Sequence, residues 1–205
     1  MKIFYDLNGA LYANITNQCP CACTFCIRKN SDSVGGNESL WLEHEPSLEE
    51  IKAAFDAVDH TKYDEVVFCG YGEPMSRPTD LIETARYIKE TSGMKIRVNT
   101  NGLVSFMHPT FDLYAMRGAI DRLSISLNAS DPEKYDRIVR SRFGLPAYNA
   151  MLNFAIVSAS FIPDVSFTIV DVIGEEEVKA CRQRSDDLGI PLRVRHYISD
   201  NEAYQ

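Results

Sequence analysis

No apolar run in this chain approaches the length of a membrane span, and Met1-Lys2-Ile3-Phe4-Tyr5-Asp6 does not open as a secretory signal does. There is no internal repeat and no low-complexity tract, so neither a solenoid nor a disordered array is expected. Positive charge is in deficit: 21 Lys and Arg face 29 Asp and Glu, a formal net charge of −8. That balance argues against a general phosphate-backbone binder, although a local basic patch is compatible with it. Six cysteines in 205 residues without a secretory signal point to a reducing compartment, not a disulfide framework. What is present, 45% hydrophobic and 24% charged residues, is the make-up of a soluble globular protein. The expectation is one cytoplasmic domain over residues 1–205, large enough for a real core.

Cys19, Cys23 and Cys26 sit at spacing C-x3-C-x2-C directly after the strand-like run Leu11-Tyr12-Ala13-Asn14-Ile15-Thr16. Three thiolates on one tight loop can hold three irons of a 4Fe–4S cubane and leave the fourth iron open to a ligand. Cys21 complicates the loop, because it places four thiols within eight residues. Other trios are conceivable, and zinc could use four thiolates. Structural zinc sites, however, normally pair two separated knuckles. An iron–sulfur loop with Cys21 as a bystander is the favoured reading. Cys69 and Cys181 lack neighbours for a second cluster and are read as packing residues.

Downstream, strand-like and helix-like segments alternate, as in a parallel α/β protein. Ser47 and Glu50 form a capping-box pattern before the stripe Leu48, Ile51, Phe55 and Val58. Strands are expected at 65–70, 95–100, 122–128, 165–171 and 192–197. Helices are expected near 80–91, ended by Gly93, at 107–116, after Asp131-Pro132, at 145–160 and at 175–188. With 11–16 the strands number six. Each has one apolar and one polar face: Leu123, Ile125 and Leu127 alternate with Ser124, Ser126 and Asn128, and Leu192 and Val194 with Arg193 and Arg195. Crossover helices must cover the apolar face. The polar face then lines a curved sheet, an incomplete barrel with room for a ligand, since a closed barrel fills its interior with branched apolar side chains. A flat sheet with one solvated face is the alternative.

The cysteine loop, with Phe25 before its last cysteine, resembles that of the radical S-adenosylmethionine (SAM) superfamily. Gly70-Tyr71-Gly72-Glu73-Pro74 resembles that family's Gly-Gly-Glu-Pro motif, and 170–177 partly matches its G-x-I-x-G-x-x-E pattern. Within the superfamily the chain is most similar to the TatD-linked proteins, through Asn14-Ile15-Thr16-Asn17, Gly35-Gly36, Leu40-Trp41-Leu42-Glu43 and Ser126-Leu127-Asn128-Ala129. The resemblance implies an α/β fold, an incomplete parallel (β/α)6 barrel. It implies a 4Fe–4S cluster on Cys19, Cys23 and Cys26, with SAM on the open iron. Phe25, Gly70, Tyr71, Gly72, Glu73, Pro74, Asn99, Ser126, Asn128, Val172 and Ile173 would contact SAM. Glu73 and the carbonyls of 71–73 suit the SAM ammonium; Asn99, Ser126 and Asn128 suit hydroxyls and a carboxylate.

The implied reaction is reductive cleavage of SAM to a 5′-deoxyadenosyl radical that abstracts hydrogen from a substrate, with a flavodoxin or ferredoxin as electron donor. A functional link to a TatD-type nuclease is also implied. Two rivals stand beside this enzyme: a glycyl-radical activase acting on a partner protein, and a non-catalytic metal-binding scaffold. Activases carry acidic residues where this chain has Asn99 and Ser126. The substrate is expected to be anionic, because Arg97, Arg193 and Arg195 fall on the polar strand face and buried guanidiniums need counter-charges. Internal carboxylates such as Glu65 or Asp171 are the structural alternative. Trp41 and His44, in the long loop 27–46, are candidates to cover a substrate or simply to pack.

Overall fold

The computed structural model describes residues 1–197. Seven strands form one sheet in sequential order, β1 (Phe4–Leu7), β2 (Ala10–Ala13), β3 (Glu65–Phe68), β4 (Lys95–Thr100), β5 (Arg122–Ser126), β6 (Asp164–Val170) and β7 (Leu192–Arg195). From β2 to β7 every pairing is parallel. The six expected strands are therefore present, each near its expected place. β1 was not expected; it forms an antiparallel hairpin with β2. Its signal is Asn8-Gly9, both at positive φ (53° and 74°), the dipeptide that suits a two-residue turn between strands.

The described residues form six α-helices, α1 (Leu48–Asp56), α2 (Pro78–Ser92), α3 (Val104–Met107), α4 (Pro132–Val139), α5 (Pro146–Ala159) and α6 (Glu175–Leu188), and all but α3 lie near their expected places. The Ser47/Glu50 capping box is formed in both directions, Gly93 ends α2 in the left-handed conformation, and Asp131 caps α4 through the Lys134 N–H. The helix expected at 107–116 is not formed. α3 ends before Pro109, and 113–116 is a separate 3₁₀ turn. Proline supplies no N–H for the i→i−4 ladder and turns the residue before it away from helix.

Register carries the apolar face across the sheet. Leu11 lies beside Val66 and Val66 beside Ile96; Val98, Leu123 and Val165 are aligned, as are Ile125, Phe167 and Leu192. Most of these side chains are fully buried under the helices. The opposite face carries Tyr12, Val67 and Arg97 in one row and Ser126, Thr168 and Arg193 in another. This face is concave. Five strand spacings would separate β2 from β7 by about 24 Å in a flat sheet, yet the Arg195 charge acts on the Tyr12 phenol and on Cys69 at the end of β3. Asn30, beyond the cysteine loop, also donates to the Tyr197 hydroxyl beyond β7 at 3.3 Å. The sheet is an open, incomplete barrel.

Candidate active site

The strands run parallel, so their C-terminal ends share one rim, and there every sequence motif collects. The cysteine loop follows β2. Backbone bonds lash it to the end of α4: Ala22 N–H donates to the Val139 carbonyl (3.1 Å), Thr24 N–H to Ile138 (2.9 Å) and Arg142 N–H to Pro20 (3.0 Å). Two cations hold it from the other side. Arg28 donates to the carbonyls of Asn17 (3.4 Å), Tyr71 (3.2 Å) and Cys21 (3.2 Å), and Lys29 to those of Ala22 (3.0 Å) and Cys23 (2.5 Å). Cys19, Cys23 and Cys26 are part-exposed, whereas Cys21 is buried and accepts from Asn101 Nδ2 at 3.6 Å. The neighbouring Cys21 thiol holds those of Cys19 and Cys23 below the ordinary range, and their proximity and burial raise its own. Burial pushes Cys26 up.

The 70–74 turn packs directly on this loop. A Cβ on Gly70 would occupy the Asn14 carboxamide, and one on Gly72 would strike the Thr16 carbonyl and come within 2.8 Å of the Gln18 carbonyl oxygen. Asn14 accepts from Tyr71 N–H at 3.2 Å and donates to the Leu40 carbonyl at 2.6 Å, tying the turn to the long loop. The glycines are thus required by protein packing, where the motif alone suggests ligand approach. Glu73 is buried and accepts from Thr100 Oγ1 (2.6 Å), Met75 N–H (3.0 Å) and Asn101 N–H (2.7 Å). Burial pushes its carboxyl up to about 7. Its hydrogen bonds join the ends of β3 and β4.

Two carboxamides at the rim have an oxygen with no partner among the described residues. Asn99 is half-buried at the end of β4; its amide faces the Cys69 thiol, and Oδ1 is buried and unbonded. Asn128, 4% exposed beyond β5, has an unbonded Oδ1 and a left-handed backbone (φ 57°). Asparagine tolerates that conformation better than most side chains do. Ser126 lies between them on the sequence, half-buried. Phe25 is half-buried; Val172 is 51% exposed; Ile173 packs on the core from a 3₁₀ turn after β6. Buried polar atoms without partners are rare in folded proteins. Two of them at the strand-end rim that also carries the cysteine loop fit a polar ligand bound at that rim.

The arginines divide. Arg97 is neutralised by Glu65 at 3.0 Å. Arg193 and Arg195 are exposed on the concave row of β7, and neither has a carboxylate within ion-pair distance among the described residues. Asp171 does not serve them: it accepts from His196 (2.6 Å) and Tyr197 N–H (2.8 Å). In the long loop, Trp41 donates to Asp32 at 2.9 Å and sets its edge against Tyr71, while His44 pairs with Glu50 at 3.0 Å outside the barrel.

An open parallel barrel with a cysteine loop after its first parallel strand defines a class of cofactor-dependent radical enzymes. The radical SAM superfamily model matches residues 13–179, and the chain belongs to that family. Its cofactors are a 4Fe–4S cluster and SAM. The chain is 29% identical over 182 residues to a GTP 3′,8-cyclase of Limosilactobacillus fermentum, covering 86% of this chain and 51% of that protein. It is 22% identical to a probable dual-specificity RNA methyltransferase RlmN of Streptococcus agalactiae serotype III, covering 97% and 54%. The chain therefore spans about half the length of these curated relatives. Among solved structures, Streptococcus suis SuiB bound to S-adenosylmethionine superposes with a TM-score of 0.63 at 13% identity, over 94% of this chain and 41% of that one. Native anSMEcpe with bound AdoMet gives 0.61 at 14%, over 92% and 51%. These likenesses are of fold.

Sequence reasoning missed Arg28, Lys29 and Asn101, which brace the cysteine loop. Only the two basic residues following Cys26 hinted at it. Also missed was Tyr135 on α4. Its hydroxyl is fully buried without a partner among the described residues, within electrostatic range of Cys21, Cys23 and Cys19.

Proposed function

We propose that this chain is a radical SAM enzyme acting on an anionic substrate bound in the open barrel. Cys19, Cys23 and Cys26 hold the cluster, with Cys21 free as a buried hydrogen-bonding partner. SAM lies against 70–74, with Asn99, Ser126 and Asn128 around its methionyl and ribose groups and Phe25, Val172 and Ile173 near its adenine. The observation that supports this arrangement most is the pair of unsatisfied oxygens, Asn99 Oδ1 and Asn128 Oδ1, at the rim that carries the thiols. Glu73 acts from behind, fixing the turn through Thr100 and Asn101 rather than binding the ammonium with a free oxygen.

When bound, the reduced cluster supplies the electron that cleaves SAM into methionine and a 5′-deoxyadenosyl radical. The protein's share is binding, orientation and exclusion of water. Arg193 and Arg195 bind the substrate's phosphate or carboxylate, for which guanidinium forks are well shaped. The named substrate of the cyclase relatives, GTP, is a polyanion, which agrees with this. A flavodoxin or ferredoxin delivers the electron. The finer kinship is with the TatD-linked proteins, with a TatD-type nuclease as functional neighbour and the cytoplasm as compartment. No helix among the described residues is long and apolar enough to cross a membrane.

The test is anaerobic reconstitution with iron and sulfide, followed by reduction with SAM present. Production of 5′-deoxyadenosine is expected, with iron lost from the Ala variants of Cys19, Cys23 and Cys26 and kept in Cys21→Ala. A protein that binds iron but never forms 5′-deoxyadenosine would instead be a scaffold. Iron lost from Cys21→Ala would overturn the ligand assignment.

A further inference from the structure

A cleft of about 440 Å³ opens beside the cysteine loop. Its walls include Cys19, Pro20, Arg28, Met107, His108 and Arg142. The chain has 29 acidic residues, yet the three segments that supply nearly all of this wall contain none. No Asp or Glu occurs in 7–31, 91–111 or 137–163. Cations do occur there. Arg137, Arg140 and Arg142 are exposed along the strip that hydrogen-bonds to the loop, and Lys29 is exposed on the loop's own carbonyls. None of them has a carboxylate within ion-pair distance among the described residues. Next to the cleft Phe106, 39% exposed, stacks on Phe143 with centroids 4.9 Å apart, and Arg142 lies over the Phe143 ring. On a molecule of net charge −8, this is a cationic surface that carries an exposed aromatic.

We propose that this face docks an acidic electron-carrier protein, a flavodoxin or ferredoxin, which passes its electron inward at Cys19. The inference rests on the cluster assignment above. Two physical arguments select the partner. Complementary charge steers encounter and suppresses wrong partners, so a cationic face on an acidic protein selects a partner more acidic still. An exposed aromatic beside an arginine is the usual make-up of the buried centre of an interface. The location matters equally, because Cys19 of the loop lines the cleft itself. The transfer is of one electron: the carrier's reduced flavin or iron–sulfur centre is oxidised by one unit and the oxidised cluster is reduced by one. No proton or group moves.

The test follows the cluster itself. Reconstituted protein is mixed anaerobically with reduced flavodoxin, and bleaching of the cluster absorbance is timed for wild type and for Arg140→Glu/Arg142→Glu. At low salt the double variant should be slower by about tenfold or more. At about 0.5 M salt, where screening is short-ranged, the two should converge. Arg140→Lys/Arg142→Lys should restore the wild-type rate. Dithionite, too small to need docking, should bleach both proteins alike. Equal rates with flavodoxin in all variants would overturn the proposal. Equal slowing with dithionite would assign the arginines a structural role instead. Saturable RNA binding to this face, with flavodoxin reduction unaffected, would give the face to nucleic acid and also overturn it. A wild-type protein that assembles no cluster would refute the cluster assignment first, a distinguishable failure.

Discussion

The Glu65 carboxylate lies 3.0 Å from the Arg97 guanidinium, and its other oxygen reaches Arg122, one strand further on, at 3.4 Å. This single acid at the N-terminal edge of β3 cancels charge on the concave face before any ligand arrives. On that face Arg193 and Arg195 of β7 are left without a carboxylate partner among the described residues. Arg97→Gln should destabilise the fold by about 1–3 kcal/mol, because Glu65 keeps Arg122 but loses its more buried partner. Arg195→Gln should change stability by less than about 0.5 kcal/mol, as expected for an exposed, unpaired side chain. Thermal unfolding with and without inorganic pyrophosphate checks both. Stabilisation by the anion should survive Arg97→Gln and fall in Arg195→Gln. The reverse pattern would place the anion site on β4.

Gly72 should not tolerate a methyl group. Its Cβ position is filled by backbone, the Thr16 and Gln18 carbonyls, which cannot swing aside as a side chain can. Gly72→Ala should lower stability by about 3 kcal/mol and reduce iron incorporation, because the 70–74 turn and the cysteine loop must part. Gly118→Ala, at positive φ but with open space around it, should cost only about 1–2 kcal/mol and leave iron content unchanged. Iron analysis and thermal melts of the two variants separate contact from backbone strain. Equal effects would mean that Gly72 is not pressed against the loop.

Glu73 gives a pH dependence with a definite sign. Burial raises its carboxyl from 4.5 to about 7, so the folded state disfavours the charged form. Its contribution is fully present below pH 4.5 and is lost as pH rises through 7, by about 3 kcal/mol at most. Glu73→Gln cannot titrate and should flatten the melting temperature between pH 5 and 7.5. It should also be less stable than wild type at pH 5, since its amide opposes the Asn101 N–H that the carboxyl now accepts from. An unchanged slope would mean that Glu73 is ionised throughout.

Much of this arrangement was legible because it is local. Ser47 with Glu50, Asp131 with Pro132, and Gly93 mark helix ends through bonds made within a few residues. The period-two alternation of Ser124, Ser126 and Arg193 marks one face through backbone geometry alone. The hairpin strand β1 was passed over because the apolar run at Leu11–Ile15 dominates its neighbourhood, although Asn8-Gly9 announces the turn. Arg28 was invisible for a different reason. Its partners are carbonyls of residues 17, 21 and 71, and a carbonyl acceptor leaves no trace in residue identity. Periodicity likewise placed Arg97, Arg193 and Arg195 on one face but could not rank them. That ranking depends on the parallel register of Glu65 with Lys95, which sets Glu65 diagonal to Arg97.

Tyr135 provides the sharpest test of where the cluster sits. Its hydroxyl is completely buried, unbonded among the described residues, and close enough to Cys21, Cys23 and Cys19 for their charge to act on it. Its ring is fixed edge-on against Tyr148 at 5.5 Å, so it cannot easily turn to another acceptor. A buried hydroxyl needs a partner, and a sulfur of the cluster that Cys19, Cys23 and Cys26 would hold could supply the acceptor. Hydrogen bonds to cluster sulfurs raise the reduction potential by stabilising the extra negative charge. Tyr135→Phe should therefore keep the fold and full iron content while shifting the cluster potential downward. A redox titration followed by electron paramagnetic resonance of the reduced state measures this without any turnover. A potential unchanged by the substitution would mean that water or the protein satisfies the hydroxyl, and that the cluster lies on the far side of Cys21 from α4.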